Sequence, residues 1–436
     1  MNHKNYIKSL LPLLLVLLAL QACIKKDEKL VLSPPRIELP LAVLNDTLKG
    51  TVKGILEPDK TYYVPADVFV NKGDTLYIPS GVKLVILGDG TPQNSPSFFI
   101  NGTLISDGTK QAPNWFTVPE DKKKAMPDGG IWGGIVADDA QNIIIRWTHI
   151  EYPGAPWGSY KTPSADISPT HQGIICLGET NFILEDSWLS YTQDDACYVR
   201  NAKVNIVGNT FESIGTTKGM AVSVKYGARG DIAYNVVVNA FNSGIKSQSL
   251  SGAPSQSVVN VFNNTVINCG FLNPTYTAGG GISFEKLVAG TAFNNIIANN
   301  KIGMRILDGA SAVDEANFSY GYNLYYGNDA SITANFFPDL KGFSAKPQTG
   351  DIYSATPMAN DPLFVNLKGS LITPTFPAIY EGIDLHLQAN SPALGKGLVT
   401  IPKVPMYVAS KNFPARIVAP NKDMGAYPSD GSGNQH

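Results

Sequence analysis

Tyr198, Arg200, Lys225, Lys246, Glu285 and Arg305 are the side chains of this 436-residue chain with the strongest claim to chemistry. Each sits in or beside a short run in which apolar and polar residues alternate: ACYVR, GMAVSVK, GIKSQS, GISFEK and GMRILD. Residues of a strand alternate faces, so if Ile245 and Ser247 point inward, Lys246 and Gln248 point outward. Cations on a common outward face suit an anionic polymer, because guanidinium pairs carboxylate or sulfate in bidentate fashion. The Tyr198 ring would offer a flat surface to a sugar. The same groups would also serve β-elimination at a uronate. Lys246 or Lys225 would then be the base, and Arg305 or Arg200 would neutralise the charge that develops as the C5 proton leaves. Asp194 and Asp195, with Glu285 or Glu151, would form a calcium site, which makes Ca²⁺ an optional ligand and no cofactor a requirement. Glycoside hydrolysis needs carboxylates gathered around one bond, and Asp186, Asp194, Asp195 and Asp231 show no such convergence in the sequence.

The elements that must hold these groups recur at intervals of roughly 22 to 37 residues, the period of a solenoid coil. Six runs open on a small residue: Gly173, Ala196, Gly219, Gly244, Gly281 and Gly303. A second run follows each, opening at Asp186, Asn209, Asn235, Asn264, Asn295 and Asn323. Parallel coils stack each strand about 4.8 Å from its equivalent, so like positions pile into columns. The first runs predict inward columns Ile174–Cys197–Met220–Ile245–Ile282–Met304 and Cys176–Val199–Val222–Ser247–Phe284–Ile306. The second runs predict His149, Trp188, Phe211, Val237, Val266, Ile297 and Tyr325 as core. Asparagine at one corner of successive coils would stack its amides into a hydrogen-bonded ladder and tolerates a left-handed corner. The outward stripe would extend roughly 24 Å over five coil steps.

Composition agrees with short strands and many turns: 41 Gly, 30 Pro, 43% hydrophobic and 16% charged residues. A net charge of −2 argues against a nucleic-acid partner. Lys4 and Lys8 precede an apolar run, Leu10 to Leu20, that is short for a membrane span and reads as a signal segment. It ends in Leu20-Gln21-Ala22-Cys23, which resembles the lipobox of bacterial lipoproteins, and the charged residues that follow resemble an export signal to the outer face. Acyl chains on Cys23 would anchor the chain to a lipid bilayer. The remaining cysteines, Cys176, Cys197 and Cys269, each lie in an apolar run and read as buried thiols.

The order DKTYYV, GDTLYIPSGVKLVI, INGTLISDGT and GGIWGGIV, with DPLFVN, LHLQANSPA and DMGAY near the end, resembles right-handed parallel β-helix lipoproteins of glycan-degrading Gram-negative bacteria. The resemblance implies an all-β, pectate-lyase-like solenoid with an N-terminal β cap and a C-terminal capping segment. The expected layout is a signal peptide at 1–22, a tether at 23–45, cap and first coils at 46–130, regular coils at 131–328, a lateral loop at 329–360, and last coils with a cap at 361–436. The expected protein is a monomeric, surface-exposed outer-membrane lipoprotein that binds a polysaccharide, with a polysaccharide lyase or a protein-binding adhesin as the alternatives.

Overall fold

The computed structural model describes residues 39–42, 45–156, 172–216, 218–249, 256–367, 382–402 and 413–436. Residues 1–22, read from the sequence as a signal segment, and Cys23 lie outside them. Among the described residues no helix is long and apolar enough to cross a membrane.

Three parallel sheets of ten strands each run the length of the molecule. Every third strand in sequence joins the same sheet, so the chain winds as a right-handed parallel β-helix, the hand that parallel crossovers adopt. The first sheet begins with Gly50–Thr51 and ends with Met304–Ile306; the second runs from Gly54–Ile55 to Phe318–Gly321; the third runs from Thr61–Val64 to Leu324–Tyr326. One continuous apolar core fills the interior from Leu48 to Ala345. Burying each Val, Ile or Phe of such a column contributes about 1.5–3 kcal/mol.

The first-sheet register is Ile174–Cys197–Val222–Ile245–Ile282–Met304 and Cys176–Val199–Val224–Ser247–Phe284–Ile306. In the third of these coils the column therefore holds Val222 and Val224, not the expected Met220 and Val222. The turn after Ile214 is longer than its neighbours and delays the strand by two residues. A shift of two preserves which face each side chain takes. Small residues open these strands because space is lacking: a Cβ on Gly244 would lie 2.4 Å from Val266 Cγ1, and one on Gly281 2.7 Å from Ile297 Cγ2.

The asparagine column is a ladder. Asn209, Asn235, Asn264 and Asn295 each donate from Nδ2 to Oδ1 of the next residue, Asn235, Asn264, Asn295 and Asn323, at 2.9–3.0 Å. Each Oδ1 also accepts the backbone N–H of the preceding coil. Toward the N-terminus the ladder position passes to Ser187, whose N–H donates to Asn209 Oδ1 at 3.0 Å, and then to Thr148. Asp186, expected in the ladder, lies one residue earlier at the left-handed corner (φ 45°). The same offset corrects His149 and Trp188: Ile150 and Leu189 fill the core, while Trp115, His149 and Trp188 stack outside it.

The stretch 329–360 crosses the end of the helix and closes it. Its Phe336 and Ser344 bond to Met304 and Ile306, and its Ile352 bonds to Asn323 and Tyr325. Among the described residues, 361–436 adds no coil to the three sheets, contrary to the expected last coils. Phe364–Asn366 and Asp384–Leu387 instead form an antiparallel pair. Phe364, Leu385, Ala393, Met424 and Ala426 cover the outward residues Val236, Val238, Ile267, Ile296 and Leu324 of the third sheet. The chain then returns toward the early coils, with Asn421 on Asn263, Asn434 on Tyr234, and Arg416 on Glu185 and Asp186. Ile401 and Val418 cover Val207, Ala233 and Phe262 of the second sheet.

Candidate functional site

The first sheet keeps an alternating outer face. Its outward column reads Phe69–Phe99–Val136–Ile175–Tyr198–Ser223–Lys246–Ser283–Arg305, apolar in the early coils and polar from Tyr198 onward. A second column places Arg200, Lys225, Gln248 and Glu285 in register beside it. All six stripe residues thus share one face.

They are not a freely solvated row. Glu285 makes an ion pair with Lys246 and lies 3.6 Å from Arg305 Nη1. The three side chains are only 7%, 19% and 15% exposed in the order Glu285, Lys246, Arg305. Arg305 is pinned further: Nε donates to Thr277 O at 3.0 Å, Nη1 donates to Ser283 Oγ at 3.0 Å, and the guanidinium rests 5.6 Å from the Phe343 ring. Burial lowers the Lys246 ammonium pKa, and Lys225 and Arg305 add to the shift against the pull of Glu285. Burial pushes the Glu285 carboxyl up, but Lys246 and Arg305 outweigh it and hold it below its usual range.

Two coils earlier the arrangement differs. Lys225 Nζ stands 4.5 Å from the Tyr198 ring centroid, and the Arg200 guanidinium stands 4.6 Å from that of Tyr226. Among the described residues neither cation has a carboxylate within ion-pair distance. Burial pushes the Tyr198 phenol up to about 12, so it stays protonated at neutral pH.

Asp194 and Asp195 form the turn that leads into Cys197–Arg200. Asp195 N–H donates to Asp194 Oδ1 at 2.9 Å, and Asp195 Oδ1 accepts from Met220 N at 2.8 Å. Burial pushes Asp194 up to about 7, and the neighbouring Asp195 adds to the shift. Glu285 is three coil steps from this strand, roughly 14 Å, so the three acids expected to share a metal are not brought together. Glu151 belongs elsewhere, bonded to Thr117 and Lys123. Asp186 pairs with Arg416, and Asp231 accepts from Asn260 on the second sheet.

The triad Lys246–Glu285–Arg305 is more compact than the alternation alone implies. The ring partners Tyr226 and Phe343 were not anticipated; Tyr226 follows Lys225 in sequence, and that adjacency was its only visible signal.

Fold and site together define a right-handed parallel β-helix whose first sheet carries a polar outward stripe from Tyr198 to Arg305. No family model and no curated protein matches the chain.

Proposed function

We propose that the outward face of the first sheet holds an acidic polysaccharide, and that acylated Cys23 keeps the chain, as a monomer, on the outer membrane of a glycan-degrading bacterium. The carrying observation is the pair Arg200 and Lys225. They are in register on neighbouring coils, each lies on a tyrosine ring, and neither has a carboxylate partner among the described residues. A ring holds a cation in place without cancelling its charge, which leaves both free to meet carboxylates of a polymer laid along the trough. Replacing both by Ala removes these contacts and leaves the core and the asparagine ladder intact. Retention on a polygalacturonate gel should weaken by roughly tenfold or more, a loss of about 1.4 kcal/mol, with the thermal midpoint nearly unchanged. Unchanged retention would reject the proposal.

A lyase is the second reading, favoured by Lys246. A lysine with a lowered pKa beside Arg305 suits proton abstraction next to a group that stabilises the resulting charge. Incubation with polygalacturonate, alginate or a glycosaminoglycan, with and without EDTA, decides between the two. Ultraviolet absorbance from new unsaturated ends supports the lyase, and binding without product supports the binder.

A further inference from the structure

We propose a second carbohydrate site, away from the first-sheet trough and independent of its function, in which the indole of Trp147 takes one pyranose unit of a glycan. A cleft of about 410 Å³ opens there, lined by Lys110, Trp147, Trp188, His386, Gln435 and His436 among others. That volume lies within the range of small-ligand sites.

Two features single out Trp147 from the aromatic residues around it. The neighbouring stack is closed: Trp188 lies 4.1 Å from His149 on one side and 3.7 Å from His436 on the other, nearly parallel to both. Both faces of Trp188 are therefore occupied, and only its edge is free for a ligand. Trp147 stands outside the stack, tilted at 6.0 Å from Trp188 and edge-on at 5.7 Å from His436.

Its backbone is the second feature. Trp147 occupies the left-handed corner (φ 45°), where other coils place Asp186, Gly208, Asn263 and Asn294. Those residue types tolerate the conformation, whereas a bulky side chain there costs about 1–2 kcal/mol. Tyr234 and Tyr322 also sit at this corner, but Tyr234 is buried under the returning C-terminal segment and Tyr322 packs against the two apolar clusters that segment covers. Trp147 is only half-buried, so packing does not explain it in the same way.

A pyranose suits the site chemically. The electron-rich indole face attracts the polarised C–H bonds on the flat side of the sugar. Lys110 Nζ stands 6.0 Å from the ring and donates to Gln435 O at 2.8 Å. An ammonium has three donors, so two remain for hydroxyls or a uronate carboxylate.

The test uses the full chain titrated calorimetrically with cello-, xylo- and galacturono-oligosaccharides. At least one should bind the parent, and Trp147→Asn should weaken it roughly tenfold or more while the thermal midpoint holds or rises, because Asn accepts the corner. For the uncharged cello- and xylo-oligosaccharides, which offer the first-sheet cations no carboxylate, Lys246→Ala should retain this binding. Should Trp147→Asn fail to fold, Trp147→Phe and Lys110→Ala serve instead, with Phe retaining part of the affinity and Lys110→Ala weakening the galacturonate ligand most. Absence of binding by every oligosaccharide, unchanged affinity in the folded Trp147 variant, or equal loss of an uncharged oligosaccharide in Lys246→Ala would each overturn the proposal.

Discussion

Glu285 is a small anion set between two larger cations, and its removal should be felt in two ways. Glu285→Gln leaves Lys246 and Arg305 without their shared carboxylate in a half-buried trough, where loss of one partner costs about 3 kcal/mol. An acidic glycan would bring a replacement carboxylate to the same place. Galacturono-oligosaccharide should therefore raise the thermal midpoint of Glu285→Gln more than that of the parent; an equal rise in both would separate Glu285 from the ligand. Asp194 governs a different response. Its carboxyl titrates near 7 in the folded chain against an ordinary 3.8. Between those values the folded state holds more protons than the unfolded one, so this group's contribution to stability falls as pH rises. Asp194→Asn should reduce that slope, which the raised Asp195 beside it shares, giving a gain over the parent in urea midpoint at pH 8 and little difference at pH 4. His149, which burial lowers to about 4, acts in the opposite direction: its contribution is present above about 6.5 and is lost as pH falls toward 4. The cations of the stripe were legible because alternation fixes the face of a side chain. Their pairing was not, because contact between Lys246 and Glu285 depends on rotamers that no spacing encodes.

Among the elements, the asparagine ladder is the seam between the second and third sheets. Asn264 accepts from Asn235 and donates to Asn295, Ile232 O and Phe262 O. Asn264→Ala leaves buried donors and acceptors without partners and should cost about 3–5 kcal/mol, measured as a fall in the urea midpoint. A loss below 1 kcal/mol would mean that the seam relaxes around the gap. The ladder was readable from asparagine openings wherever the residue is present. It was misread by one position at Asp186, because the seam there is carried by the Ser187 hydroxyl, and two adjacent polar residues give no clue to which points inward. The covered faces were also written in the chain. Third-sheet strands such as VVVNA and IIA are apolar on both sides, the pattern of a strand buried twice, whereas CYVR and MRI alternate.

For the molecule as a whole, the segment after residue 361 changes the character of the solenoid. Stacked repeats touch only their neighbours and can unravel from an end. Here the returning chain ties Asn294, Asn263, Tyr234, Asp186 and Lys110 to a single strap. Arg416 is a principal clasp, bonded through its side chain to Asp186 and through its backbone N–H to Glu185. Arg416→Ala should increase the rate of proteolysis after residue 413 while the far-ultraviolet spectrum stays that of the parent. Cleavage at the parental rate would show that the apolar contacts of Val418 and Met424 suffice to hold it. The winding itself was legible from the repeat. The return path was not, because its contacts join residues from 127 to 325 positions apart and leave no periodic trace.

The alternation along the first sheet has one more consequence. An outward side chain there is flanked by its equivalents in the coils before and after, while the core sees only the opposite side of the strand. Exchanging such residues coil by coil would rewrite the charge sequence of that face without repacking the interior.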